Sequence, residues 1–404
     1  MKNILILTEN YPAIRGEFPF LEQELTALRG KYHVEIYCRR KYSGSSQYVP
    51  GGIPIHWRSD GKSICFKNCI RALFSGDVWK EILCLVRAGN FNIETLKFCV
   101  GYFCDALSIA SDIRKLPITE DTLIYSFWGS ALAYAATRLK RKIHCSCAIR
   151  LHRFDLYKYV NKCNWQPFKK VTDKCADRVI FIGNEGKNYY LSSYGIKEDP
   201  DKHIVIRLGA EDHGTAPWEA SETVRILSCS NIVPVKRIDR IISFISKLNG
   251  KVNWVHIGDG SQREIIEQSA HEKLDGRSNI GWRFIGEKPH DEVMDYFKCT
   301  PLDFLVNMSE SEGLPVSMME AMSFGVPVIG TDVGAVSEII DNGVNGFLLP
   351  EEDAADAAAE AVNKYMKFSA AEKENMRRES RLKWKKDFQS TANAQKLCAE
   401  FTSI

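Results

Sequence analysis

The sequence of 404 residues lacks the patterns that mark disulfide frameworks, metal centres and membrane spans. Its 13 cysteines are scattered without a Cys-x-x-Cys pair, which is typical of reduced thiols that serve as small apolar residues. No apolar run reaches the roughly 20 uncharged residues of a transmembrane helix, and the apolar start of the chain is too short for a signal peptide. No cluster has the spacing of metal ligands, and no Asp-x-Asp pair ends a predicted strand. We therefore expect a cytoplasmic protein that needs neither a metal nor another cofactor.

Charge is distributed unevenly along the chain. The net charge of +3 combines a basic first half, with 30 Lys and Arg against 19 Asp and Glu in residues 1–200, and an acidic second half with 24 against 32. Two solvated surfaces that attract each other would explain this asymmetry, and so would a first half that faces an anionic membrane. Because the chain has no transmembrane run, any such contact would be peripheral, at the inner face of the cytoplasmic membrane.

Short runs rich in Ile and Val alternate with helical patterns along most of the chain. These runs predict parallel strands covered by helices on both faces. Two successive series predict two Rossmann-like domains, each with a crevice at the carboxyl ends of its strands. The predicted strands are residues 3–8, 33–38, 122–127, 144–151, 178–183, 203–208, 224–229, 252–257, 282–285, 303–306, 326–330 and 346–349.

Residues 64–85 follow a less regular pattern, with apolar residues at helical spacing and Lys67, Arg71 and Lys80 between them. An amphipathic helix that lies on a lipid surface has this pattern. A helix packed on the sheet has it too, and we expect the packed helix rather than the lipid-facing one.

The stretch of residues 307–329 predicts a strand, a glycine turn, a short helix and a second strand. Pro315 suits the first position of that helix, where no backbone donor is missed. The free amides near Gly313 and Leu314 would then point outward at the positive end of the helix, which is a site for anions.

Two carboxylates, Glu312 and Glu320, bracket this turn and the first helical turns. A helical rise of about 1.5 Å per residue would separate them by about 12 Å. That span suits a ligand with phosphates in the middle and hydroxyls at both ends, which is the shape of a nucleotide sugar. The alternative is a buried helix flanked by two surface glutamates.

The same stretch resembles the E-x7-E signature of glycosyltransferase family 4, which comprises retaining transferases of the GT-B fold. Glu312 and Glu320 match its two glutamates, and the flanking Glu-Gly-Leu-Pro, Glu-Ala-Met and Gly-Val-Pro-Val-Ile also match. The resemblance covers residues 224–350 and extends loosely to 1–22 and 145–160. It implies an α/β protein of the GT-B class, with two Rossmann-like domains whose parallel sheets face each other across a cleft.

The domain boundaries follow from the resemblance together with a Gly-, Pro- and Asp-rich linker at residues 194–202. An acceptor-side domain would span residues 1–198 and be completed by a C-terminal helix at about 385–404. A donor domain for the nucleotide sugar would span residues 199–384.

The resemblance also implies roles for individual residues. Glu320 would hold the ribose hydroxyls, while Glu312 would bind sugar hydroxyls and steady positive charge at the anomeric carbon. Further donor contacts are implied for Gly16, Asn231, Arg237, Gly258, Gly313, Leu314, Pro315 and Val316.

Lys236 matches the family lysine that holds the donor diphosphate. A bridging pyrophosphate needs a point cation, and needs it more as the leaving group gains charge. The family arginine falls on Asn231 and the preceding glycine on Ser230, so the second cation is missing from its usual place. Arg237 is the candidate to supply it. Taken alone, Lys236 and Arg237 would indicate only a solvated helix start.

Gly258 and Gly260 follow a predicted strand, as a similar Gly-x-Gly pair does in the family. They would let the backbone approach the nucleotide. By itself, this pair is an ordinary turn between a strand and a helix.

Two segments of the first half resemble the family as well. His152 and Asp155 match a His-x-x-Asp motif that follows a strand. The resemblance implies that His152 reaches the donor sugar from across the cleft, a role for which an imidazole suits because it can donate near neutral pH. Asp155 would either orient its neighbours or face the acceptor.

The loop after the first predicted strand is the other such segment. Gly16 matches a family glycine in a loop that closes on diphosphate and acceptor, and Arg15 and Glu17 are candidate acceptor contacts. The loop could instead be only a connection between a strand and a helix.

The implied function is that of a retaining, hexosyltransferase-type glycosyltransferase. It would move a sugar from a nucleoside diphosphate sugar, which we expect to be a UDP-sugar, to a glycan or lipid-linked glycan in capsule or O-antigen synthesis. We expect no nucleic acid partner and no metal. The alternatives are a nucleotide-sugar epimerase of the same fold, a phosphorylase, and a non-catalytic nucleotide-sugar-binding protein.

Overall fold

The computed structural model describes residues 1–13, 17–41, 52–59 and 66–404. The chain divides into two compact units. The first comprises Met1–Ile206 and Ala394–Ile404, and the second comprises Arg207–Asn393. The boundary at residues 206 and 207 lies eight residues beyond the predicted one, because the strand at His203–Val205 pairs with the first sheet.

The first unit contains a seven-stranded parallel sheet with the strand order β3-β2-β1-β4-β5-β6-β7. Its strands are β1 Lys2–Thr8, β2 Tyr32–Cys38, β3 Ile55–Trp57, β4 Thr122–Ser126, β5 Ser146–Leu151, β6 Arg178–Phe181 and β7 His203–Val205. The central strand β4 is buried throughout, as expected for an apolar strand covered on both faces.

Eight helices among the described residues of the first unit accompany this sheet: α1 Phe18–Arg29, α2 Phe66–Leu73, α3 Gly76–Arg87, α4 Ile93–Ile113, α5 Ala131–Ile143, α6 Arg153–Leu156, α7 Lys169–Cys175 and α8 Asn184–Tyr194. Local sequence sets several of their ends. The side chain of Asn92 accepts hydrogen bonds from the amides of Glu94 and Thr95 at the start of α4. Gly195 ends α8 at a φ of 56°, a conformation that favours glycine.

The second unit contains a six-stranded parallel sheet with the order β10-β9-β8-β11-β12-β13. Its strands are β8 Thr223–Cys229, β9 Lys251–Ile257, β10 Ile280–Phe284, β11 Phe304–Asn307, β12 Val328–Thr331 and β13 Gly346–Leu349. Its helices are α9 Ile238–Ser246, α10 Arg263–Leu274, α11 His290–Cys299, α12 Val316–Ser323, α13 Val336–Ile339, α14 Ala354–Tyr365 and α15 Ala370–Asp387, and the last helix of the chain is α16 Ser390–Thr402.

Both sheets reverse their strand order at one point, and that point decides where a ligand crevice lies. In the second unit β8 is flanked by β9 on one side and β11 on the other, so the loops after β8 and β11 leave in opposite directions. Such a switch point opens a crevice at the carboxyl ends of the strands. The corresponding point of the first unit lies between β1 and β4.

Candidate functional site

The loops after β8 and β11 bring the two halves of the candidate site together within the second unit. The chain leaves β8 at Cys229 and forms a short 3-10 turn at Pro234–Lys236. The chain leaves β11 at Asn307 and enters α12 at Val316. The amide of Glu310 donates to the carbonyl of Val235 (2.9 Å), which joins the two loops directly.

Lys236 and Glu312, which are distant in sequence, form an ion pair at this place. Lys236 Nζ donates to Glu312 Oε1 over 2.6 Å. The same oxygen accepts hydrogen bonds from Asn307 Nδ2 (2.9 Å) and Ser309 Oγ (2.7 Å). The carboxylate of Glu312 is therefore buried, charged and held in one orientation by three donors.

The electrostatics of Glu312 agree with this geometry. Burial alone would raise the pKa of the carboxyl, but the charge of Lys236 and the hydrogen bonds from Lys236, Ser309 and Asn307 hold it below its usual value. The carboxylate thus stays ionised at neutral pH. Lys236 keeps about a quarter of its side chain exposed (25%), so this side chain is in contact with solvent.

The start of α12 has the geometry that the sequence predicts for an anion site, with one correction. Pro315 is the residue before the helix, at φ −69° and ψ 116°, and Val316 is the first helical residue. Within the described residues, the amides of Gly313 and Leu314 donate to no protein acceptor. These two amides, at the positive end of an eight-residue helix, are free for an anionic ligand.

Arg237 has its charge engaged elsewhere. It adopts a left-handed conformation (φ 47°) before α9, and its guanidinium bonds Asp239 (2.9 Å) and Glu310 (2.5 Å). These partners hold the pKa of Arg237 above its usual value, mainly through the hydrogen bond to Asp239. Asn231 is exposed. The contacts of Arg237 therefore give no sign that it takes the place of the family arginine, although a donor contact of either residue remains a prediction.

Glycines allow the loops of the site to pack closely. A Cβ on Gly258, at φ 144°, would lie 1.9 Å from the carbonyl oxygen of Ser230, and one on Gly334, at φ 57°, would lie 2.0 Å from that of Glu312. In the structure, the lack of a side chain at Gly258 thus lets its backbone pack directly against the backbone of Ser230. Its predicted approach to a nucleotide stays a prediction.

Glu320 bonds a residue that the sequence analysis did not single out. His290 Nε2 and Glu320 Oε1 are 2.8 Å apart, which places the first residue of α11 against α12. The hydrogen bond to Glu320 raises the pKa of His290 above its usual value. Cys229 also belongs to this region, since burial and the charge of Glu320 raise its pKa to about 12 while Lys236 opposes them. Both residues adjoin strand ends or helix starts of the site, which is the signal that could have found them.

In the first unit, the predicted histidine lies in an aromatic pocket at the end of β5. The ring of His152 is buried between Trp128 (centroids 4.5 Å apart) and Phe127 (5.0 Å). Neither ring nitrogen has a hydrogen-bond partner within the described residues. Burial, assisted by the charge of Arg150, holds the pKa of His152 well below its usual value, so the ring is neutral.

Asp155 orients its neighbours. Its carboxylate accepts hydrogen bonds from the amides of His152 (2.7 Å) and Gly129 (2.6 Å), which links the loops after β4 and β5. Burial raises the pKa of Asp155 to about 6, although the charge of Lys169 opposes the shift. Of the two predicted roles, the contacts describe the orienting one, and an acceptor contact stays a prediction.

The side chain of Glu17 likewise forms hydrogen bonds with backbone amides near it, in the loop after β1. Its buried carboxylate accepts hydrogen bonds from the amides of Asn10 and Tyr11 and from the indole of Trp128. Burial raises its pKa despite these donors. The predicted acceptor contact of Glu17 stays a prediction. Arg15 and Gly16 lie outside the described residues.

Metal clusters and membrane-spanning helices are both absent from the residues that the structure describes. No group of three or more His, Cys, Asp or Glu side chains suited to a metal ion occurs among the residues that the structure describes. In the same part of the chain, every helix is too short or too polar to cross a membrane.

The chain is similar to known proteins in sequence and in fold. Residues 216–383 match the family model described as glycosyl transferases group 1. Over 278 residues, 33% are identical to the putative teichuronic acid biosynthesis glycosyltransferase TuaC of Bacillus subtilis, an alignment that covers 64% of this chain and 65% of TuaC. An uncharacterized glycosyltransferase of Methanocaldococcus jannaschii is 27% identical over 263 residues, covering 64% of this chain and 68% of the relative. The chain thus spans about two thirds of the length of both.

Among solved structures, Anabaena HepE in complex with UDP and glucose superposes with a TM-score of 0.70 at 13% identity, and the match covers 100% of both chains. At this identity the likeness concerns the fold alone. Together with the two parallel sheets, it confirms the predicted α/β class of GT-B type.

Proposed function

Since residues 216–383 match the family model of the group 1 glycosyl transferases, we propose that the chain transfers a sugar from a nucleoside diphosphate sugar to a glycan or lipid-linked glycan. The observation that carries the proposal is the Lys236–Glu312 pair at the switch point of the second sheet. It joins a cation for phosphate to a carboxylate for sugar hydroxyls, beside two free amides.

The diphosphate, which lies between the nucleoside and the sugar of the donor, would be the group that the site holds. Lys236 and the amides of Gly313 and Leu314 offer a point charge and two aligned donors, which together suit the oxygens of a diphosphate. Glu320, on α12 beyond these amides, would accept hydrogen bonds from the ribose. UDP is the nucleotide that we propose, supported by the fold likeness to a protein crystallised with UDP and glucose.

The transfer would proceed with retention of the anomeric configuration. The bond from the anomeric carbon to the diphosphate oxygen breaks, and a bond from an acceptor hydroxyl forms on the same face of the sugar. The acceptor's proton passes to the departing phosphate oxygen. Lys236 and the start of α12 stabilise the charge on the leaving diphosphate without a metal ion, and Glu312 steadies positive charge on the sugar.

His152 would contribute a hydrogen bond to the sugar. Its ring is buried and neutral, and both nitrogens lack partners within the described residues. A buried polar group without a partner is costly, so a ligand hydroxyl that bonds this ring would gain more than the same contact gains in water. A neutral imidazole can both donate and accept, which suits a hydroxyl group.

The acceptor proposal comes from the relatives. TuaC is described as a putative teichuronic acid biosynthesis glycosyltransferase, and we propose that this chain likewise extends a cell-surface polysaccharide, such as a capsule or an O-antigen. Its place of action would be the inner face of the cytoplasmic membrane, where a lipid-linked glycan is accessible. No nucleic acid enters this proposal.

A thermal-shift screen of nucleotide sugars tests the donor assignment. We expect one nucleotide sugar to raise the melting temperature of the wild-type chain and to lose this effect in Lys236→Met. Lys251→Met is the matched control, because Lys251 is the first residue of β9, at the end of the parallel strands opposite to the loops of the site, and is largely exposed. A chain that responds to no nucleotide sugar would overturn the proposal.

Product analysis separates the transferase from its rivals. A transferase makes a new glycoside only when an acceptor is present, whereas an epimerase releases an altered nucleotide sugar without acceptor. A phosphorylase requires inorganic phosphate. A non-catalytic binder would show the thermal shift and no turnover of any kind.

A further inference from the structure

Exposed apolar side chains are concentrated in one part of the first unit. Of the fifteen large apolar side chains that are exposed among the described residues, nine lie within residues 66–93. This segment comprises α2, α3 and the start of α4, and both α2 and α3 pack against α4. Single exposed apolar residues are ordinary, but such a concentration is typical of a surface that contacts a ligand, another protein or a membrane.

Helix α2 presents its apolar stripe outward. Phe66, Ile70 and Leu73 follow one another at helical spacing on one face and are exposed, and Phe66 is 82% exposed. The buried residues of α2 are Asn68 and Ala72, on the opposite face. In a helix that packs on a core the arrangement is reversed, with the apolar stripe buried.

Helix α3 repeats this arrangement. Trp79, Leu83 and Val86 have the same spacing and are exposed, whereas Val78 and Leu85 are buried on the other side. The indole nitrogen of Trp79 donates to the carbonyl of Leu73 (2.8 Å), so the stripes of α2 and α3 are joined into one surface. We call this surface, formed by the exposed residues of α2 and α3, the α2–α3 surface.

The exposed charged side chains of α2 and α3 are all cationic. Lys67, Arg71 and Lys80 are exposed among the apolar residues. The two carboxylates of α3 are occupied: Asp77 pairs with Arg141 (2.8 Å), and the buried Glu81 accepts from an indole. The α2–α3 surface is therefore apolar and cationic at once.

A cavity of about 510 Å³ adjoins the same surface. Its lining includes Ile70 and Phe74, the latter 85% exposed, together with the cations Arg71, Arg114, Arg138 and Lys142. No carboxylate is among those lining residues that the structure describes. Within the described part of the chain, none of the four cations forms an ion pair, although Arg138 donates to the Tyr134 hydroxyl (3.4 Å) and lies over the Phe103 ring (5.4 Å).

We propose that the α2–α3 surface docks on an anionic lipid bilayer, with its apolar stripe in the interface and a lipid phosphate in the adjoining cavity. Apolar side chains among Lys and Arg are the composition of helices that lie in a membrane interface, and the cations are attracted to anionic headgroups. A second copy of the chain fits less well, because pairing two such surfaces would bring like charges together. The inference rests on the proposed function only in that a membrane would carry the acceptor.

Vesicle sedimentation tests this docking without donor or acceptor. We expect the wild-type chain to bind vesicles of phosphatidylcholine with phosphatidylglycerol and to bind phosphatidylcholine alone at least about tenfold more weakly. The double variant Phe66→Ser with Phe74→Ser should lose about tenfold or more of the binding, because it removes two exposed aromatic side chains. Ile265→Ser, an exposed apolar residue on α10, is the matched control and should bind as the wild type does.

The charge contribution is tested separately with Arg71→Gln combined with Arg114→Gln. This variant should lose its preference for phosphatidylglycerol, whereas Arg378→Gln, an exposed arginine of α15, should keep it. Absence of vesicle binding, equal binding to both compositions, or a dimer that Phe66→Ser with Phe74→Ser abolishes would each overturn the proposal. The thermal shift by a nucleotide sugar should be the same in every one of these variants, so failure of the docking and failure of the proposed function are distinguishable.

Discussion

Replacing Glu312 by glutamine removes one charge from the centre of the candidate site and leaves its shape almost unchanged. The amide oxygen of Gln can still accept the hydrogen bonds that Asn307 Nδ2 and Ser309 Oγ give to Oε1 over 2.9 and 2.7 Å. The charge of Lys236, 2.6 Å away, loses its partner. The variant therefore tests the ion pair rather than the packing.

The expected loss of stability follows from the burial of the pair. Removal of one partner from a fully buried ion pair costs about 3–5 kcal/mol of the free energy of unfolding. Lys236 is 25% exposed and water can solvate part of its charge, so we expect about 1–3 kcal/mol for Glu312→Gln. Transfer should fall by about 10²–10³-fold, the effect of removing one preorganised electrostatic group from a transition state.

Urea unfolding and initial rates measure these two effects. The double variant Glu312→Gln with Lys236→Met closes a cycle in which we expect a coupling free energy of about 0.5–3 kcal/mol. Lys251 and Glu222, an exposed pair 3.4 Å apart, form the control cycle and should couple by less than about 1 kcal/mol. If Glu312→Gln kept the wild-type rate and stability, the Lys236–Glu312 pair would not be the centre of the site.

Three further changes have distinct expected outcomes. His152→Phe should keep or raise the melting temperature, because it removes two buried polar atoms without partners, and should lower kcat/KM about 10²-fold; a large loss of stability would indicate a structural role. Gly334→Ala should lower the free energy of unfolding by more than about 1 kcal/mol, since its φ is 57° and its Cβ would meet the carbonyl of Glu312 at 2.0 Å, and unchanged urea unfolding would contradict this. The pKa of His290 is raised by Glu320, so the stabilisation from this pair is complete below about pH 6.5 and is lost as the pH rises through the raised value. Donor affinity, measured by calorimetry, should rise over the same range as Glu320 is released, and His290→Gln should abolish that rise.

The sequence predicted the parallel sheets because strands that are buried on both faces consist of nearly continuous runs of apolar residues. It did not predict the edge of the first sheet. The predicted strand 203–208 was assigned to the second domain, but His203–Val205 pairs with β6, and only the pairing itself decides which sheet an edge strand joins. Local sequence around that strand is compatible with either domain.

In the candidate site, too, the sequence predicted some of the contacts and not others. A family motif identified Lys236 and Glu312, and the structure brings the two side chains together. The partners of Arg237 could not be read from the sequence, because its left-handed backbone turns the side chain toward Asp239. The contact of His290 with Glu320 joins two helices that follow different strands, so no local pattern predicts it.

Helix α2 illustrates why an amphipathic pattern leaves its environment open. The spacing of Phe66, Ile70 and Leu73 predicts a helix with one apolar face, and the more common interpretation is that this face packs on the sheet. The structure instead buries Asn68 and Ala72 against the rest of the first unit, because α2 packs on α4 through that side. Periodicity states which residues share a face, whereas the neighbouring elements decide which face is covered. An apolar face left in solvent between cations is therefore information that only the folded chain provides, and it is the physical basis for expecting a lipid partner.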